Sequence, residues 1–222
     1  MPRSLPAGAE LMREPPSLLE RTVQEWRGQQ GRGQQGRGQQ LRGQGDLWVF
    51  GYASLIWRPE FDSLERREAR VHGWHRALKM WSRINRGTHE CPGLVFCLLA
   101  GGSCRGMVYR IAEAQGEQAL AKLWEREMPI PVYEPRWLLC HTPAGPVRAL
   151  AFTLARSSPS HTGELQPDEY RRIFRQARGR YGSTQDYAQD TQEGLRAVGI
   201  RDRRLERLIR TARGDIPSDG SP

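Results

Sequence analysis

The chain is 222 residues long, carries a formal net charge of +9 with a sequence pI near 10.0, and has a mean hydropathy of −0.70. No apolar run reaches the roughly 18 residues that a membrane-spanning helix needs. The four cysteines (Cys91, Cys97, Cys104 and Cys140) have no C-x-x-C pair and fit no cysteine–histidine zinc spacing, so neither a disulfide framework nor a zinc module is expected, and a reduced, cytoplasmic setting is.

In chain order, residues 1–46 differ from the rest. Ser17 is an N-cap candidate and Glu20 stands at the capping-box position. A short helix is predicted from Ser17 to about Trp26, with Leu18, Leu19, Val23 and Trp26 on one face. Arg27 to Gly45 is a near-repeat of R-G-Q-Q-G whose one apolar side chain is Leu41. Such a segment buries too little surface to offset the entropy of ordering it, so it reads as a disordered linker. Residues 1–46 hold seven arginines and five acids, a net of +2, so the remaining +7 belongs to the body. Arginine–glycine segments can bind RNA, but no aromatic lies between these arginines for a base to stack on. Nucleic acid is therefore not the expected partner.

From residue 47 the texture is globular. The stretch LWVFGYASLIW reads as a strand, a small-residue turn and an apolar return. Residues 69–82 alternate as a strand or hairpin around Gly73, and 85–93 is a loop. LVFCLLA (94–100) and RGMVYRIA (105–112) read as a hairpin with GGSC as its turn. Residues 113–128 are helical, with Leu120, Leu123, Trp124 and Met128 at helical spacing. VYEPRWLLCHT and PVRALAFTLA (146–155) form a further strand pair across Pro143-Ala144-Gly145. Three helices follow, ending at Gly179, Gly199 and Gly214, the later two starting at Ser/Thr and Asp caps. The globular domain is thus set at 47–214, with 215–222 frayed. Strands dominate its first half and helices its second, an α+β order compatible with a small closed barrel.

Few residues stand out for chemistry. Small residues after a strand, as in Gly51-Tyr52-Ala53-Ser54-Leu55, let successive backbone N–H groups converge on a carboxylate or phosphate. A plain tight turn uses the same residues. Glu127 lies late in its helix, a heptad from Leu120, so it falls on or near the inward side. A carboxylate in an apolar pocket can serve as a base near neutrality, whereas a solvated glutamate only pairs with its neighbours. Tyr187 lies near the start of a helix, where a phenol can reach a ligand or pack. The five histidines are scattered, and neither a nucleophilic triad nor a metal pair emerges.

Together these segments resemble a known pattern. DLWVFGYASLIWRPEF, HGWHRAL, the 88–98 run THECPGLVFCL with its preceding NRG, GGSCRGMVYRI, LWEREM with VYEPRW, and STQDYAQDT with LRAVGIRD fall in the order and spacing of ChaC-like γ-glutamylcyclotransferases. The resemblance covers about residues 46–212. It implies a small mixed β-barrel with flanking helices, no metal and no organic cofactor, and a small γ-glutamyl substrate, characteristically glutathione, released as 5-oxoproline and Cys-Gly. It assigns Glu127 as the general acid/base. It assigns Gly51, Tyr52, Ala53, Ser54 and Leu55 as the glutamyl-binding loop, and Tyr187 as a substrate contact. The family usually has glycine at Ala53; alanine keeps the N–H but requires negative φ for the same loop shape. It also often has an asparagine in the segment before Tyr187, where this chain has Ser183-Thr184-Gln185-Asp186. The alternatives are a cyclotransferase for another γ-glutamyl amide, or a non-catalytic module on the same scaffold that binds a γ-glutamyl metabolite or docks on RNA. The oligomeric state is not legible.

Overall fold

The computed structural model describes residues 17–32, 45–128 and 131–215. The expected tail before Ser17, residues 33–44 of the glycine–glutamine repeat and the last seven residues lie outside them.

Helix α1 (Leu18–Arg32) starts at the predicted box: Ser17 N–H donates to Glu20 at 2.7 Å, and Glu20 N–H to the Ser17 hydroxyl at 3.2 Å. It runs a turn and a half further than the sequence suggests, into the first repeat. Glycine in a helix costs about 1 kcal/mol against alanine, but here docking outweighs it. Trp26 is 4% exposed and lies where a Cβ on Gly116 would be. Arg27 pairs with Glu117, and Trp137 Nε1 donates to Glu25 at 3.1 Å. A lone helix of this length is marginal in water, so this seam holds it. Trp26→Ala is expected to cost about 3 kcal/mol and to open α1 to limited proteolysis; an unchanged cleavage pattern would show that the seam is not what holds it.

Strands β1 (Leu47–Gly51), β2 (Glu65–Ser82), β3 (Gly93–Ile111), β4 (Glu134–Thr142) and β5 (Gly145–Thr153) close a barrel in the order β1-β3-β2-β4-β5. Sequential neighbours are antiparallel, and β5 meets β1 in parallel at Val49↔Leu150, so the barrel is mixed. One expectation is corrected. GGSC is not a hairpin turn, nor is Gly73. β2 and β3 are single long strands paired from Glu65↔Arg110 to Ser82↔Gly93, joined through residues 83–92. The ladder shifts register between His72 and Trp74, where Gly73 (φ 79) faces Gly101 (φ 104) and Gly102 (φ 74). Positive φ, which reads as a turn in sequence, here bends two strands together.

The continuous apolar run of β3 follows from burial on both faces. Cys97 and Leu99 join Val49, Leu150, Trp26, Leu120 and Leu123 on one side. Phe96 and Leu98 join Phe50, Ala151 and the C-terminal helices on the other. Between these clusters β1 ends in α2 (Ser54–Trp57), and α3 (Glu113–Glu127) packs alongside. The C-terminal helices are α4 (Pro167–Gln176), α5 (Thr184–Ala197) and α6 (Arg203–Arg213), with a two-residue pair β6 (Arg178–Gly179) and β7 (Gly182–Ser183) before α5. Ser183 and Asp202 cap α5 and α6 as predicted. The Cys97, Cys104 and Cys140 thiols are buried and all four cysteines are free. Among the described residues no helix is long and apolar enough to cross a membrane, and no cluster of three or more His, Cys, Asp or Glu could hold a metal.

Candidate active site

The small-residue turn of the sequence is the last residue of β1 running into one helical turn. Gly51 is demanded by packing: a Cβ there would sit 2.9 Å from Leu55 Cβ and 3.1 Å from the Tyr109 ring. The Tyr109 hydroxyl donates to Leu55 O at 2.8 Å and pins α2 from the barrel side. Ala53 sits at φ −141, so alanine in place of glycine carries no left-handed cost. The first N–H to close on the turn is that of Ile56, which donates to Ala53 O at 2.9 Å. The N–H groups before it have no partner within the turn, as at any helix start. Leu55 and Ile56 are buried, so the apolar return of the sequence is the inward face of α2 and not a second strand.

Glu127 is the last residue of α3, below the fully buried Leu120 and Leu123. Its side chain is 17% exposed and lies 3.1 Å from Arg126 Nε. Burial pushes its carboxyl above the ordinary glutamate range; the Arg126 guanidinium pulls the other way, and the charge of Glu60 adds to the rise. Arg126 also donates to Arg58 O at 2.6 Å, to Glu60 at 2.9 Å and to the Ser54 hydroxyl at 3.1 Å. One guanidinium thus holds the end of α3 to the glutamyl-loop candidate.

Three buried tyrosines share this space. Burial raises the pKa of Tyr52, Tyr133 and Tyr187, and the negative charge of Glu127 raises each further. Tyr187 is pushed up to about 12. The phenols therefore stay neutral at physiological pH and act as hydrogen-bonding groups around the Glu127 carboxyl. Tyr52 donates to Phe152 O at 2.9 Å and Tyr133 to Phe96 O at 3.4 Å. The Phe96 backbone and the Ser54 side chain temper the rise at Tyr187. Its ring lies 5.5 Å from that of Phe96 and under the Arg86 guanidinium, 4.8 Å from the ring centre. α5 is seated by Thr184 Oγ1, which accepts from Leu94 N–H at 2.8 Å. Asp186, in the segment where an asparagine was noted as missing, closes a capping box with Ser183 at 3.2 and 3.0 Å.

The structure therefore brings Gly51 to Leu55, Glu127 and Tyr187 together. Sequence reasoning missed Tyr133, Arg126 and Arg86 as members. Each is an ordinary polar residue in its own segment, and only the long-range partner gives it meaning.

A family model described as ChaC-like protein matches residues 47–214. The glutathione-specific γ-glutamylcyclotransferase of Escherichia coli (strain K12) is 31% identical over 167 residues, covering 75% of this chain and 72% of that protein. The human glutathione-specific γ-glutamylcyclotransferase 1 is 30% identical over 146 residues, covering 64% and 66%. Among solved structures, a yeast γ-glutamyl cyclotransferase specific to glutathione superposes with TM-score 0.69 at 20% identity, over 76% of this chain and 96% of that one, which is a likeness of fold. With the barrel, the loop after β1 and the buried glutamate at the end of α3 all in the matched span, the chain belongs to the ChaC-like family.

Proposed function

We propose that the protein is a γ-glutamylcyclotransferase acting on glutathione, with Glu127 as the general acid/base. The observation that carries this reading is a largely buried carboxylate of raised pKa, held beside the 51–55 loop by the Arg126 contact with Ser54 and flanked by neutral phenols. The α-ammonium of the substrate gives a proton to Glu127. The freed amine attacks the γ-carbonyl carbon and closes a five-membered ring. As the C–N bond to cysteine breaks, the ring nitrogen gives up a second proton; both protons pass by way of Glu127 to the departing nitrogen, which leaves as an ammonium while the lactam keeps one N–H. The 51–55 loop receives the α-carboxylate, and Tyr187 orients the chain so that amine and carbonyl meet. No nucleophilic side chain is required, because the substrate's own amine is the nucleophile. The free cysteines suit a reducing, cytoplasmic setting.

Incubation with glutathione is expected to yield 5-oxoproline and Cys-Gly in equal amounts by chromatography. Free glutamate in place of 5-oxoproline would mean hydrolysis and would overturn the cyclisation. Turnover of other γ-glutamyl amides with glutathione left intact would move the substrate assignment but keep the chemistry.

A further inference from the structure

Arg76 has no part in the chemistry above, yet its side chain is among the most enclosed charges in the protein, 4% exposed. It lies on β2 opposite Leu98. Its Nη1 donates to Tyr52 O at 2.5 Å and to Arg105 O at 3.2 Å. Its Nε and Nη2 donate to Asp202 Oδ2 at 3.1 and 2.7 Å. Asp202 Oδ1 in turn accepts from the N–H groups of Arg204 and Leu205, both at 3.1 Å, and so caps α6.

The Tyr52 carbonyl belongs to the same peptide unit as the Ala53 N–H. In a trans peptide the two point in opposite directions across one plane. A guanidinium fixed on the carbonyl side therefore fixes the direction of the N–H on the far side. It also polarises the unit, because a charged donor on the oxygen withdraws density from the nitrogen and strengthens that N–H as a donor. We propose that Arg76, braced by Asp202, is a positioning residue that aims and polarises the Ala53 N–H toward the α-carboxylate of the γ-glutamyl substrate. This rests on the reading that the 51–55 loop takes that carboxylate. The carboxylate is carried unchanged from bound substrate to transition state, so the contribution is uniform binding and falls on KM rather than kcat.

The test is the kinetics of 5-oxoproline release from glutathione by the full chain, with thermal melting of each variant. Arg76→Gln is expected to raise KM about ten-fold, the loss of one charge-assisted hydrogen bond, with kcat within about two-fold. Ile209→Ala, at a buried α6 side chain one turn beyond Leu205 and outside the hydrogen bonds of the Asp202 cap, loosens the same helix and is expected to lower Tm with KM unchanged. If Arg76→Gln does not fold, Arg76→Lys decides, with a rise in KM of about three-fold expected because one ammonium replaces a fork of donors. A wild-type KM in the Arg76 variant that folds, or an equal rise in KM in Ile209→Ala, overturns the proposal and leaves the cyclotransferase reading standing. A wild-type protein that releases no 5-oxoproline overturns the activity itself, before any variant is compared.

Discussion

Glu127→Gln is expected to lower 5-oxoproline release about a thousand-fold, the usual worth of a positioned acid/base, without loss of fold. Glutamine keeps the size and the hydrogen-bonding oxygen near Arg126 but can neither take the ammonium proton nor return it. The same variant carries a second, opposite expectation. Because burial raises the folded pKa of Glu127 above its unfolded value, the group's stabilising contribution is present below the unfolded pKa and is lost as pH rises through the folded one. At neutral pH an ionised Glu127 therefore costs stability, and Glu127→Gln is expected to melt higher than wild type at pH 7, with the gap closing toward pH 4. An inactive variant with lower Tm at pH 7 would instead point to a structural role. An active variant would take the base assignment away from this residue.

Arg126→Ala is expected to be the next most damaging change, and to act through pH. The guanidinium is the one group near Glu127 that opposes the effect of burial on its carboxyl. Without it the carboxyl rises further and is more protonated at pH 7, where the reaction needs a base. Activity at pH 7 is expected to fall about ten-fold to a hundred-fold. The acid limb of the pH–rate profile should move upward, so that part of the loss returns at alkaline pH. Arg126→Lys keeps the charge and is expected to shift the limb less, although a single ammonium cannot reach Arg58 O, Glu60 and Ser54 together. A uniform loss at every pH, with the limb in place, would mean that Arg126 matters only as a clamp on the loop.

Much of this site was legible because its elements obey local rules. Glu127 lies a heptad from Leu120, so helical spacing alone put it near the inward side. Ser183 and Asp202 announced the starts of α5 and α6, and Ser17 with Glu20 that of α1. The failures share one cause, which is that local pattern cannot see what lies across the chain. Gly101 and Gly102 permit a turn, but Gly73 opposite them makes a bend in a continuous strand pair instead. Arg27 to Arg32 look unable to order, yet Trp26 and the Glu117 partner of Arg27 hold them helical. Arg126 finds Glu60 at a separation of 66 residues, and Arg76 finds Asp202 at 126. Neither pairing has any trace in the spacing of either residue.

The burial of the cysteines matters for an enzyme whose proposed substrate is itself a thiol. Thiol–disulfide exchange proceeds through the thiolate, and a thiol that stays protonated and out of reach is a poor participant. Burial pushes Cys97 and Cys140 up to about 12 and raises Cys104 as well. Cys97 lies close enough to the tyrosines to add to the rise of Tyr52 and Tyr133. The barrel thus keeps these thiols inert toward mixed-disulfide formation. Of the four cysteines only Cys91, partly exposed in the loop between β2 and β3, is open to oxidised glutathione.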